Sequence, residues 1–191
     1  MYCHIRSTVA GSSLIEVMIA TLLFSVAVLG LGAAQLAAKN NLEIAQQRSV
    51  ATLLGRDMVE KMQANPGQLT RYAEAAEQPP AAEAVPDCVT GSCSNAELAL
   101  YDTHEWWQLL SGPAQEDVGE ASPNRLGGLV SPWACIELDE QMLRLVLVWW
   151  GRQSLPNPGD SDCGENTGLY GLQNSHRRVM VLSSFIGGGW G

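Results

Sequence analysis

The sequence predicts an α+β fold, with a long N-terminal helix packed on a small antiparallel β-sheet head. Three observations predict it. Leu14 to Ala38 form an apolar run of 25 residues with a single charge, Glu16. No proline occurs between Ser12 and Asn65, so one helix of about 53 residues and about 80 Å is allowed. Later segments alternate apolar and polar residues with the period of a strand. Helix first and strands after is an α+β plan.

The apolar run sets the first element. At about 1.5 Å per residue it extends about 37 Å, enough to cross the hydrocarbon core of a bilayer. A secretory signal peptide has an apolar region of only about 7–15 residues, followed by a small-residue cleavage site. Here the run is longer and continues into the polar helical sequence Lys39–Gln63. A small-residue site does occur, but before the run, at Val9-Ala10-Gly11-Ser12-Ser13. A cut after Gly11 puts the apolar segment at the start of the mature chain, with Glu16 as the fifth residue behind a positively charged amine. A carboxylate at membrane depth costs about 2.5–3.5 kcal/mol on insertion scales, which calls for a partner and a function. The alternative is an interfacial charge that only reaches headgroups. Arg6 precedes the run while Lys39, Arg48 and Arg56 follow it, so charge counting gives only a weak orientation signal.

The second half of the helix is amphipathic. Ile44, Ala51, Leu54, Met58 and Met62 recur near helical spacing between polar residues, and are expected to pack on the head. Asn65-Pro66-Gly67 is a stop signal. Gly30 and Gly32 weaken the apolar half by about 1 kcal/mol each relative to Ala, and offer close-packing surfaces in lipid. Residues 67–93, rich in Ala, Glu and Pro, read as a surface loop. Ser94-Asn95-Ala96-Glu97 has the form of a capping box, so Leu98–Leu110 reads as a short helix ended by Gly112-Pro113. After a loop over residues 112–132, Ala134–Leu138, Met142–Gly151 and Arg177–Ile186 read as strands, with residues 155–172 as a long loop before the last.

Composition narrows the classes. The chain has 191 residues, an apolar share of 46%, 11 Lys plus Arg against 20 Asp plus Glu, and a net charge of -9. The apolar share excludes wholesale disorder. The acidity argues against a nucleic-acid partner, because such affinity rests on Lys and Arg neutralising phosphates. No nucleophile elbow, phosphate loop or metal-protease motif is present. The Gly187-Gly188-Gly189 stretch follows a strand and opens no helix, unlike a dinucleotide loop. No enzymatic activity and no cofactor are therefore expected.

Gly11-Ser12-Ser13-Leu14-Ile15-Glu16-Val17 resembles the type IV prepilin signature: a Gly, a first mature residue, then Leu-Ile-Glu leading into an apolar helix. The segments Gln47-Arg48-Ser49, Ala51-Thr52-Leu53-Leu54, Asp57-Met58, Glu60-Lys61-Met62 and Ala64-Asn65-Pro66 are similar to the helix end of PilV-type minor pilins. So is Ala99-Leu100-Tyr101-Asp102, followed by Glu105-Trp106. The resemblance implies a pilin fold with residues 1–11 as a cleaved leader, 12–38 as the membrane half of the helix, 39–65 as its amphipathic half and 66–191 as a periplasmic head. It implies that prepilin peptidase cuts between Gly11 and Ser12 and N-methylates Ser12, although most members begin with Phe or Met. It implies that Glu16 sets register with a neighbouring subunit's amino terminus. The expected partners are the other minor pilins, the major pilin and the inner-membrane assembly platform. The expected function is priming of pilus assembly near the tip. A type II secretion pseudopilin and a tip adhesin are the alternatives.

Cys3 would leave with that leader, and the mature chain keeps Cys88, Cys93, Cys135 and Cys163. An even number in an exported domain suggests two disulfides, for which three pairings exist. Locality favours Cys88–Cys93 and Cys135–Cys163. A zinc site is the rival, and it lacks paired C-x2-C spacing, while His104 and His176 show no ligand spacing, so no metal is expected. His104 beside Glu105 is not an acid–base pair, because helical neighbours one apart do not face each other. Of the adjacent Trp149 and Trp150 on a strand, one is expected in the core and the other outward or under a loop.

Overall fold

The computed structural model describes residues 13–77, 81–112, 128–139 and 142–186. The chain divides into two compact units, Met1–Glu43 and Ile44–Gly191. The described part of the first is helix. Helix α1 runs from Leu14 to Ala64, 51 residues without a break. Within its apolar half Thr21 Oγ1 donates to Met18 O at 3.0 Å and Ser25 Oγ donates to Thr21 O at 2.7 Å, so neither hydroxyl is left without an acceptor.

In the second unit α1 ends at Ala64, just before the Asn65-Pro66-Gly67 stop signal, but no loop follows. A 3₁₀ turn, Pro66–Gln68, leads straight into α2, Leu69–Glu77. This corrects the loop expected over residues 67–93. Leu69, Tyr72, Ala75 and Ala76 are buried at helical spacing, and Pro66 opens the new turn, where its missing N–H is no loss. Helix α3, Asn95–Ser111, starts at Ser94. The Ser94 hydroxyl accepts from Glu97 N at 3.3 Å, and the Glu97 carboxylate accepts from Ser94 N at 2.8 Å, closing the capping box. It ends at Gly112, whose φ of 75° suits glycine. Residues 113–127, most of the loop expected over 112–132, lie outside the described residues, as do 140–141 in the expected strand connection and the glycine stretch 187–189.

Strands β1 (Trp133–Asp139), β2 (Met142–Trp150) and β3 (Arg177–Phe185) form an antiparallel sheet in that order. Leu145 stands opposite Ile136 on one side and Leu182 on the other, which fixes the register. Alternation then sorts the side chains. Ala134, Ile136, Leu143, Leu145, Leu147 and Trp149 join the core built with Ala51, Leu54, Met58 and Met62 of α1, Tyr72 of α2 and Trp106 of α3. Val146 and Val148 face the opposite way, into a second cluster with Cys163 and Tyr170. The central strand is therefore buried on both faces, one under helices and the other under the segment between β2 and β3.

Two contacts join the chain's early and late parts. Thr52 Oγ1 lies 3.4 Å from Met180 Sδ, and Gln63 Nε2 donates to Ser184 Oγ at 2.8 Å. Between them α1 comes so close to the sheet that a Cβ on Gly55 would lie 2.5 Å from Leu182 Cδ1. Ile44 departs from the expected stripe: it is 42% exposed and outside the core.

Candidate functional site

The expected site begins at residues Gly11 and Ser12, which lie outside the described residues. Glu16 occupies the first turn of α1, where its N–H donates to Ser13 O at 2.9 Å. An anionic side chain is favourable at that end of a helix. It is exposed, and so is the whole apolar run behind it. Leu14 is 80% exposed, Phe24 70% and Leu29 74%. The best window of α1 reaches a mean hydropathy of 2.4 with none of it buried, so this helix is long and apolar enough to cross a membrane. So much uncovered apolar surface needs lipid or other protein around it. Gly30 and Gly32 have open space where a side chain would be, which leaves the backbone accessible to a neighbour.

The head is held by polar bonds that run between elements. Trp106 Nε1 donates to Leu54 O at 2.8 Å, fastening α3 to α1 in the core. Asp102 accepts from Tyr72 Oη at 2.7 Å and has Lys61 Nζ at 3.3 Å, so one carboxylate ties α1, α2 and α3 together. Burial, then the Asp102 carboxylate, pushes the Tyr72 hydroxyl far above its ordinary value, so it stays a donor. Asn65 Nδ2 adds a bond to Asn95 O at 2.8 Å. Asp102 and Trp106, both in the segment similar to PilV-type pilins, each join helices.

Both disulfides are formed. Cys88–Cys93 closes a small loop before α3, and Cys135–Cys163 ties β1 to the segment covering the outer sheet face. Among the described residues no group of His, Cys, Asp and Glu could hold a metal ion. His104 Nε2 meets Gln108 Nε2 at 2.7 Å, one turn along α3, whereas Glu105 bonds Tyr101 and raises its pKa, so the adjacent pair does not work together. Trp149 is in the core, while Trp150 stacks on His176 with ring centroids 5.0 Å apart.

Arg177 was not anticipated. It is fully buried at the start of β3. Its guanidinium donates to Cys163 O at 2.8 and 3.0 Å, to Asn157 Oδ1 and Pro158 O at 3.1 Å, to Glu165 at 3.2 Å, and to Ser161 O. Most of these acceptors are backbone carbonyls, which leave no mark in sequence.

Comparison with known proteins adds one finding. Residues 33–104, from the late apolar run of α1 into α3, match the Tt1218-like family, described as type IV pilin Tt1218. No curated protein and no solved structure matches the chain. With the uncovered apolar helix and the α+β head behind it, the match supports a type IV pilin.

Proposed function

We propose that the chain is a minor pilin of the PilV type, working by assembly with no reaction of its own. The observation that carries this reading is the fully exposed apolar half of α1 with Glu16 in its first turn. In the precursor that half spans the inner membrane with the head in the periplasm. Prepilin peptidase removes residues 1–11 and methylates Ser12. On extraction by the assembly platform the helix exchanges lipid for other pilin helices, and Glu16 pairs with a neighbour's terminal amine. Removing one partner of such a buried pair typically costs about 3–5 kcal/mol, which is enough to set axial register. With other minor pilins near the tip, the subunit primes growth of the filament.

Two variants test this. Gly11→Val removes the small residue at the cut, so the mature chain starting at Ser12 should vanish from mass spectra. Glu16→Val removes the one costly charge, so membrane levels and cleavage should stay normal. Co-purification with the other minor pilins and the number of surface pili should fall. Wild-type association and piliation with Glu16→Val would leave Glu16 as a mere interfacial charge and sink the mechanism.

A further inference from the structure

The two edges of the sheet differ. Strand β1 has α2 packed against it and carries two carboxylates, Glu137 and Asp139. Along β3, residues 179–186 contain no charge and no proline. Native edge strands generally carry one or the other, which stops a further strand from pairing with them. The register shows which backbone groups β3 leaves over. Gly151 N donates to His176 O at 2.7 Å, while Trp150 N turns the other way and donates to Val130 O at 2.8 Å. Antiparallel bonding alternates, so Met180, Leu182 and Ser184 bond β2, and Val179, Val181, Ser183 and Phe185 turn their N–H and C=O groups to the open edge. Among the described residues no backbone group bonds them on that side. The leftover groups recur about every 6.8 Å, a spacing that a second extended backbone matches.

The flank of α1 beside β3 sets the chemistry of such a strand. Thr52 and Gln63 on that flank bond Met180 and Ser184 of β3. Arg56 lies one turn from Thr52, is exposed, and lines an open groove with Arg48, Ser49 and Thr52. Among the described residues no carboxylate lies within 4.0 Å of Arg56, Glu60 one turn along included. A strand added to β3 sets alternate side chains against this flank. The others fall beside Val179 and Val181, which are half-buried and pack on the outer cluster. We propose that the open edge of β3 receives a strand from a different subunit of the filament, with carboxylates on the α1 side and apolar residues on the outer side. A second copy's β3 does not fit, because the side chains it would turn to the α1 side, Met180, Leu182 and Ser184, offer Arg56 no charge. Main-chain bonds then supply affinity and the alternate side chains supply selection. The source of the strand rests on the reading of the chain as a filament subunit.

The test uses the full chain in detergent micelles, the peptide acetyl-Thr-Val-Glu-Val-Glu-Val-Thr-amide as probe, and amide hydrogen exchange resolved by NMR. In the chain alone, the amides of Met180, Leu182 and Ser184 should be protected, and those of Val179, Val181 and Ser183 should exchange rapidly. The peptide should protect the second set. Methylating its valine nitrogens should weaken binding by at least about tenfold, because those N–H groups face β3, whereas methylating its glutamate nitrogens should not. Arg56→Glu should weaken the peptide by about fivefold, and a peptide with lysines for glutamates should then bind better than the original. Ser183→Pro removes an edge donor without touching the bonds to β2, so it should weaken the peptide and, in cells, co-purify less with the other minor pilins at wild-type protein levels. Ser183→Lys, which keeps every backbone bond and puts a charge at the edge, should do the same. Protection of the second set in the chain alone would mean that its own residues or a second copy already fill the edge, and would overturn the proposal. So would a valine-methylated peptide that binds as well, an Arg56→Glu chain with unchanged preference, or wild-type co-purification of both Ser183 variants. The peptide measurements need no filament, so they can fail while Glu16→Val still lowers co-purification. The filament-subunit reading fails separately, when Glu16→Val leaves co-purification with other pilins intact.

Discussion

Arg177 shows how much one residue can organise. A guanidinium has five N–H donors in a planar fork, and here the fork gathers residues 157–165, a segment whose regular structure is only the start of a 3₁₀ turn at Glu165. Replacing it with Met keeps much of the volume but leaves several carbonyls without their donor and Glu165 with Asn157 Nδ2 alone. The full chain in micelles should then lose about 3 kcal/mol in chemical unfolding, from the loss of a buried cation's partners. Arg177→Lys should recover only part of this, since an ammonium cannot reproduce the fork. A loss no larger than that of an exposed Arg would show that the segment is held by its disulfide alone. Sequence gives little warning of such a residue. Arg177 and Arg178 are adjacent and chemically identical, and only the acceptors around them differ.

Elements were legible where their signal is local. The capping box at Ser94, the proline-free span of α1 and the alternation of β2 each depend on neighbours in sequence. Helix α2 was missed because Pro66 reads equally as the end of one helix and the first position of the next. Burial of both faces of β2 was missed because the covering side chains come from residues 163 and 170. The capped end of α3 carries a prediction. The Ser94 N–H, then its hydroxyl, holds the Glu97 carboxyl below its ordinary value of 4.5. A lowered folded-state pKa stabilises fully above the unfolded value and is lost as pH falls through the folded one. Ser94→Ala removes the N-cap, a change that typically costs about 1 kcal/mol, and the loss should be larger at neutral pH than in acid, where Glu97 is protonated. Equal losses at pH 7 and pH 3 would contradict that cause. Gly55 carries another. A Cβ there would also lie 3.2 Å from Met180 Cε and 3.3 Å from Leu147 Cδ1. Gly55→Leu should cost about 1–3 kcal/mol by overpacking, while Gly55→Ala should cost less because it adds only the Cβ and gains about 1 kcal/mol in helix propensity, as Leu nearly does. Thermal unfolding of both variants would decide, and a stabilised Gly55→Leu would mean that α1 can lift from the sheet.

At the scale of the molecule, the Glu16 carboxylate and the uncovered apolar half of α1 were visible in sequence because membrane chemistry is written in composition. The head was visible only as a class. Its cohesion comes from pairs distant in the chain, such as Asp102 with Lys61, Trp106 with Leu54, and the Cys135–Cys163 bond. That bond joins residues 28 apart, against 5 for Cys88–Cys93. Loop-closure entropy assigns them about 3.6 and about 2 kcal/mol respectively. Replacing Cys135 and Cys163 with Ser should therefore lower the unfolding midpoint more than replacing Cys88 and Cys93. The reverse order in denaturant titrations would mean that strain or residual structure dominates.

The bonds from Thr52 to Met180 and from Gln63 to Ser184 also set a timetable. They join residues 128 and 121 positions apart, so the side of α1 that meets Met180, Leu182 and Ser184 stays open until β3 has arrived. Contacts so distant in sequence are slow to form, because a long loop must be ordered before they reward it. A chain delivered from its N-terminus therefore keeps the Thr52, Gly55 and Gln63 side of α1 uncovered until its last strand arrives. Chaperones and proteases meet this protein chiefly in that interval, and damage to β3 should reduce its abundance before it alters any surface that β3 presents.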